Sequence, residues 1–99
     1  MSYKSKIQTI PGTRKKDVMV FSLSDDTCIW CDKTKDLLNK MGLQYSYINV
    51  DSLDKEEQEE AYKDMWKYAP GSTSFPTVVV DSGQFVISGF SESELKALL

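Results

Sequence analysis

The stretch VMVFSLSDDTCIWCDKTKDLLNKMG, residues 18–42, decides how the chain folds. Val18 to Leu23 is a short, apolar, β-prone run, which reads as a buried strand. Ser24-Asp25-Asp26-Thr27 follows, a loop of residues whose short polar side chains cap helices. Thr34, Leu37, Leu38 and Met41 then fall at i, i+3, i+4 and i+7, the spacing of one helix face. Gly42 is suited to the left-handed conformation that ends a helix. Between loop and helix sit Cys28 and Cys31, the two cysteines of the chain.

That order of strand, C-x-x-C and helix bears on chemistry. Positions i and i+3 share a helix face, with Cβ atoms about 5–6 Å apart. A disulfide needs about 3.5–4.5 Å. A small adjustment in the first turn closes the gap, so the pair can open and close with little motion elsewhere. Unpaired N–H groups and the positive dipole end at a helix N-terminus stabilise an anion. The thiolate is the reactive form of cysteine, and this setting lowers its pKa. Cys28 lies nearer that end and is expected to be the attacking nucleophile; Cys31, one turn deeper, is expected to resolve the mixed disulfide.

Other readings of the pair exist. Zinc usually takes four ligands, and two cysteines with no histidine would force a one-chain site to draw on carboxylates. An iron–sulfur cluster shared by two chains through Cys28, with an added thiol as the other ligand, is the alternative function. A reduced pair that only packs is the third reading. A C-x-x-C directly after a strand, opening a helix within a β-α-β unit, favours the redox couple.

Outward from this stretch, Tyr45 to Val50 reads as a second strand and Asp54 to Tyr68 as a second helix. Its expected buried face is Ala61, Tyr62, Met65, Trp66 and Ala69. Asp54, Glu56, Glu57, Glu59 and Glu60 read as a solvated face whose charge suits the dipole. Thr77 to Val80 is a third strand, Asp81-Ser82-Gly83 a tight turn, and Gln84 to Ser88 a fourth strand, which makes a hairpin. Ser91 caps a last helix from Glu92 to Leu99, with Glu94 at the capping-box position. The order β-α-β-α-β-β-α predicts an α/β fold. Its sheet is mixed and four-stranded, with a parallel pair joined by a right-handed crossover, an antiparallel hairpin, and helices on both faces. The domain is assigned to residues 17–99. Residues 1–16 are an N-terminal extension with a turn at Pro11-Gly12-Thr13, and Ile7 and Ile10 are candidates to pack on the domain edge.

A chain of 99 residues suits one domain. A net charge of −3 argues against a broad nucleic-acid footprint. Arg14-Lys15-Lys16, followed at once by Asp17, reads as a solvated turn rather than a binding patch. The polar start from Met1 to Lys6 does not read as a secretory leader, and Val18–Leu23 is too short to span a membrane. The expected compartment is the cytoplasm, where thiols are kept reduced and a permanent structural disulfide is out of place. No nucleic-acid or membrane partner is expected, and the chain is expected to be a monomer.

Three motifs carry a resemblance to a known family: Cys28-Ile29-Trp30-Cys31, Ser74-Phe75-Pro76, and Ser88-Gly89-Phe90-Ser91. They resemble the glutaredoxins of the thioredoxin-fold superfamily over about residues 17–99. The resemblance implies a thioredoxin-like fold and a dithiol oxidoreductase that reduces protein or low-molecular-weight disulfides. It implies that Pro76 is cis and faces the C-x-x-C, and that the Phe75 backbone hydrogen-bonds the substrate's cysteine. The turn Gly89, Phe90, Ser91, with Glu92, would hold one end of glutathione; Thr27 and Trp30, flanking the nucleophile, complete the substrate-binding set. No metal and no tightly bound cofactor are expected.

The chain departs from the family at two places. Ile29-Trp30 stands where glutaredoxins usually have Pro-Tyr. Asp25 stands where many carry a lysine that meets glutathione's carboxylate. An acid there repels glutathione, and Asp25 and Asp26 oppose the dipole's effect on Cys28, partly offset by Lys33 and Lys35. Ser88-Gly89-Phe90 is also similar to the glutaredoxin-like redoxins that serve ribonucleotide reductase and are recharged by thioredoxin reductase. The implied partners are therefore a disulfide-bearing protein, ribonucleotide reductase among the candidates, and a reductant. That reductant is glutathione, another small thiol such as coenzyme M, or thioredoxin reductase.

Overall fold

The decisive stretch folds as read. In the computed structural model, which describes residues 2–72 and 74–99, a strand leads through a loop into a helix with Cys28 at its head. In chain order the elements are β1 (Gln8–Ile10), β2 (Val18–Ser22), α1 (Ile29–Lys40), β3 (Tyr45–Asn49), α2 (Lys55–Tyr68), β4 (Thr77–Val80), β5 (Phe85–Ser88) and α3 (Glu92–Leu98). Short 3-10 turns cover Tyr3–Lys6, Val50–Ser52 and Asp81–Gly83. Helix α1 ends where Gly42 takes a φ of 70°. The Leu43 N–H reaches back to the Leu38 carbonyl (3.1 Å) and the Gly42 N–H to that of Asn39 (3.0 Å), which satisfies the last turn's free acceptors.

The sheet has five strands in the order β1-β3-β2-β4-β5, one more than expected. β2 and β3 are parallel, as a β-α-β unit requires, while β4 is antiparallel to β2 and to β5. The added strand, β1, pairs antiparallel with β3 from Gln8↔Tyr47 to Ile10↔Tyr45. It lies in the segment read as an unassigned extension. Three residues with two exposed polar side chains carry no apolar signature, because the strand is held through its backbone at an edge. The fold class is otherwise the α/β arrangement read from the sequence.

Alternation along the central strands splits the core into two layers. Val18, Val20, Val78 and Val80 pack with Leu38 of α1 and Leu95 of α3 on one face. Phe21 and Val79 pack with Ala61 and Met65 of α2, and with Tyr3, on the other. All four residues of β4 are buried, as a strand covered on both faces must be. Each fully buried aliphatic side chain here is worth about 1.5–3 kcal/mol.

Residues before β2 fold onto this body. Tyr3 is buried, its hydroxyl donates to Asp64 Oδ2 (2.7 Å), and its N–H donates to Glu60 Oε1 (3.1 Å). The Arg14 N–H donates to the Gly42 carbonyl (2.9 Å), and the Gln44 N–H to that of Arg14 (2.8 Å). Gly12 makes that approach possible: a Cβ there would lie 2.6 Å from the Gly42 oxygen. Met1, the first residue of the expected extension, lies outside the described residues.

Four details of the sequence reading change. Asp54 is the cap of α2 rather than its first residue, in a capping box with Glu57. Glu57 is not part of a solvated face: it is 3% exposed and accepts from Lys6 Nζ at 2.7 Å. Trp66 is 41% exposed rather than buried, its indole N–H donating to the Ser72 carbonyl (2.6 Å). Helical spacing marks a face, and Trp66 stands at that face's margin, where the loop after α2 gives it a polar partner. β5 starts at Phe85, because the turn runs through Asp81 and Ser82 at positive φ and on to Gln84. None of the described helices is long and apolar enough to cross a membrane.

Candidate active site

Cys28 is the N-cap of α1, with extended backbone (φ −134°, ψ 101°). Its Sγ accepts from the Cys31 N–H at 3.2 Å, so the sulfur does the work a serine or aspartate oxygen does in an ordinary cap. Cys28 and Cys31 are joined as a disulfide with Cα atoms 5.2 Å apart. Cys31 is fully buried, while Cys28 is partly exposed. The two sulfurs therefore differ in access as the sequence predicts.

The loop before β4 closes the site from the opposite side. The Phe75–Pro76 bond is cis, and Pro76 is buried. The Phe75 carbonyl oxygen lies 3.7 Å from Cys28 Sγ. Phe75 stands edge-on to Tyr62 of α2 (6.1 Å between centroids), a contact that sequence reading did not foresee because it joins α2 to the loop. The Pro76 carbonyl accepts from the Gly89 N–H at 2.7 Å, which ties the turn before α3 to the same corner. Gly89 has a φ of 79°, a conformation that glycine adopts without strain. Phe90, next in the turn, stacks on Trp30 of α1 with centroids 5.7 Å apart and planes 19° from parallel. Trp30 remains 51% exposed, with Lys33 Nζ 5.1 Å above its ring.

Cys28, Cys31, Trp30, Phe75, Pro76, Gly89 and Phe90 thus come from three separate segments and are linked by these contacts. Thr27 is exposed in the turn just ahead of Cys28, its N–H donating to the Ser24 carbonyl (3.0 Å). The Ser91 hydroxyl is taken up in capping α3 through the Glu94 N–H (3.4 Å), and Glu92 pairs with Lys96 (3.2 Å). Among the described residues no group of three or more His, Cys, Asp or Glu side chains is placed to hold a metal ion.

The β2–α1 loop is anchored from below. Asp51 Oδ1 accepts from the Ser24 N–H and hydroxyl, both at 2.9 Å. Asp25 is 84% exposed, and its nearest cation is Lys35 at 3.9 Å. The Lys35 side chain is 11% exposed, and its Nζ donates to Asn49 Oδ1 at 3.3 Å. Burial pushes the Lys35 ammonium below the ordinary lysine range, against the opposite pull of Asp25, Asp32 and Asp51.

Comparisons with known proteins agree with this geometry. The glutaredoxin family model matches residues 18–86. Among solved structures, the methanoredoxin of Methanosarcina acetivorans is similar at 35% identity and a TM-score of 0.78, over 89% of this chain and 88% of that one. The glutaredoxin of Methanosarcina mazei Go1 is similar at 34% identity and a TM-score of 0.79, over 93% and 85%. NrdH-redoxin of Escherichia coli, a glutaredoxin-like protein described as having a thioredoxin-like activity profile, shares 26% identity at a TM-score of 0.62, over 84% and 95%. No curated protein sequence matches the chain. The family match over more than half the chain, with a cysteine pair held at disulfide distance on a helix cap, makes this a glutaredoxin-like redox protein and a member of the glutaredoxin family.

Proposed function

We propose that the protein is a dithiol–disulfide oxidoreductase of the cytoplasm. The Cys28 thiolate attacks one sulfur of a substrate disulfide. A new S–S bond forms to Cys28, the substrate's own S–S bond breaks, and the departing thiolate takes a proton from water. The Cys31 thiol loses its proton and attacks Cys28 Sγ, and the second substrate thiol leaves. Two electrons pass to the substrate, and the protein is left as the Cys28–Cys31 disulfide. Two thiols from a small donor, or a reductase, return it to the dithiol.

The observation that carries this reading is the difference between two adjacent sulfurs. Cys28 is reachable, at a helix cap and beside the Phe75 carbonyl; Cys31 is fully buried beneath it. An incoming disulfide meets Cys28 first, and the resolving thiol is already in place. Trp30 and Phe90 present a flat aromatic surface beside the pair, which suits a protein disulfide. The exposed carboxylate of Asp25 disfavours anionic thiols such as glutathione and so favours thioredoxin reductase as the donor.

The test has two parts. Cys28→Ser should abolish disulfide reduction, and a variant that worked at the parent rate would end the proposal. The oxidised parent is then exposed separately to glutathione, to coenzyme M, and to thioredoxin reductase with its nicotinamide donor, and free thiols are counted. Reduction by the reductase alone is the expected result; reduction by glutathione at an equal rate would overturn the role given to Asp25.

A further inference from the structure

Lys35 has an environment that a solvated lysine does not have. It sits seven residues after Cys28, two turns down α1, and its long side chain runs back toward the helix N-terminus as helical side chains do. Its ammonium meets three groups from two segments: Asn49 Oδ1 at the end of β3 (3.3 Å), the face of the Tyr47 ring on the same strand (4.2 Å to the centroid), and Asp25 in the loop before the nucleophile (3.9 Å). An ammonium with 11% of its side chain exposed has given up most of its water, a cost offset only by partners of this kind.

The surroundings of Lys35 are acidic. Asp25 and Asp26 come from the loop, Asp32 and Asp36 from α1, and Tyr45 and Tyr47 from β3; with Lys35 they line a groove of about 420 Å³. Asp51, after β3, adds its charge from below while holding Ser24. Among the described residues Lys35 is the one cation lining that groove. Asp25 stands three residues before Cys28, and its carboxylate destabilises a thiolate there unless it is neutralised.

We propose that Lys35 is a positioning residue for the Cys28 thiolate: it ties Asp25 to the end of β3 and partly offsets that carboxylate's charge at the nucleophile, while the carboxylate's outer face still meets incoming anions. Lys35 touches neither sulfur and acts through Asp25. The assignment rests on the proposed attack by Cys28, but it is read by a measurement that does not depend on disulfide turnover.

The experiment follows alkylation of Cys28 by iodoacetamide in the reduced protein, as a function of pH, with the modified residue located by mass spectrometry. Lys35→Met fills nearly the same space without charge. It is expected to slow alkylation at neutral pH by about threefold, the size expected of one partly screened charge, and to move the rate profile to higher pH. Lys35→Arg should keep the parent profile. Asp25→Asn should speed alkylation on its own and should restore most of the rate when added to Lys35→Met. A merely structural lysine would alter stability and leave the profile in place. Superimposable profiles for the parent and Lys35→Met overturn the proposal, and so does an Asp25→Asn variant that neither changes the rate nor rescues it. If Lys35→Met does not fold, the Asp25→Asn arm alone decides.

Discussion

Cys28 has two tasks in one atom. Its sulfur caps α1 through the Cys31 N–H, and the same sulfur is the proposed nucleophile. The two tasks separate on substitution. Serine is a good cap, so Cys28→Ser in the reduced protein should unfold in urea within about 0.5 kcal/mol of the parent while losing all disulfide reduction. Cys28→Ala loses the cap as well and should cost about 1 kcal/mol. Equal stability of the two variants would mean that the Sγ contact contributes nothing to the helix. The placement of Cys28 at the cap of α1, with Cys31 buried one turn on, was legible at this scale because a three-residue spacing at a helix start has few physical meanings. Lys35 was only half legible. Its charge could be read, but its burial depends on Tyr47 and Asn49, residues twelve and fourteen positions away whose approach no local pattern announces.

Among the elements, the segment before β2 shows how a polar stretch can still be ordered. Tyr3 is anchored by Asp64 and Glu60 of α2, and Lys6 by Glu57. Burial, and then the Asp64 hydrogen bond, raise the Tyr3 phenol above its ordinary value. Burial pushes Asp64 upward, but hydrogen bonds from Tyr3 and Lys67 outweigh it and hold the carboxyl below its ordinary range. The signs follow from linkage. The Asp64 contribution is present above the unfolded carboxylate's pKa and is lost as pH falls through the lower folded value. The Tyr3 contribution is present below the unfolded phenol's pKa of about 10 and is lost as pH rises through the higher folded value. Tyr3→Phe should therefore cost about 1 kcal/mol at neutral pH and flatten both limbs of the stability profile in thermal melts from pH 2 to 11. A profile unchanged in shape would show that the pair is not formed in solution. None of this was readable from Ser2 to Ile10, because the apolar positions there are sparse and the partners lie more than fifty residues on. The same long range explains β1, an edge strand recruited by β3 rather than by its own sequence. Helix α1 was legible because its apolar spacing is local, and strands β2 and β4 because their burial is nearly complete.

At the scale of the molecule, the two-layer core serves to hold three loops at one corner: the Cys28 cap, the Phe75–Pro76 segment and the Gly89–Phe90 turn. Each loop adjoins an element with side chains in the core, β2 and α1 for the first, β4 for the second and α3 through Leu95 for the third, and the corner is partly exposed at Cys28 and exposed at Trp30. The chain carries a net charge of −3, and the loop before Cys28 concentrates negative charge at the entrance, which in the proposed mechanism bears both on the choice of reductant and on the stability of the Cys28 thiolate. The central claim is that electrons pass from the protein through Cys28 first and Cys31 second. The most direct measurement uses Cys31→Ser, reduced and then mixed with a small protein disulfide or with 5,5′-dithiobis-(2-nitrobenzoate), followed by intact-mass and peptide analysis. The account predicts a stable one-to-one mixed disulfide located on Cys28, absent from the parent because Cys31 resolves it. An unmodified Cys28 in that variant would contradict it, as would an adduct that persists equally in the parent.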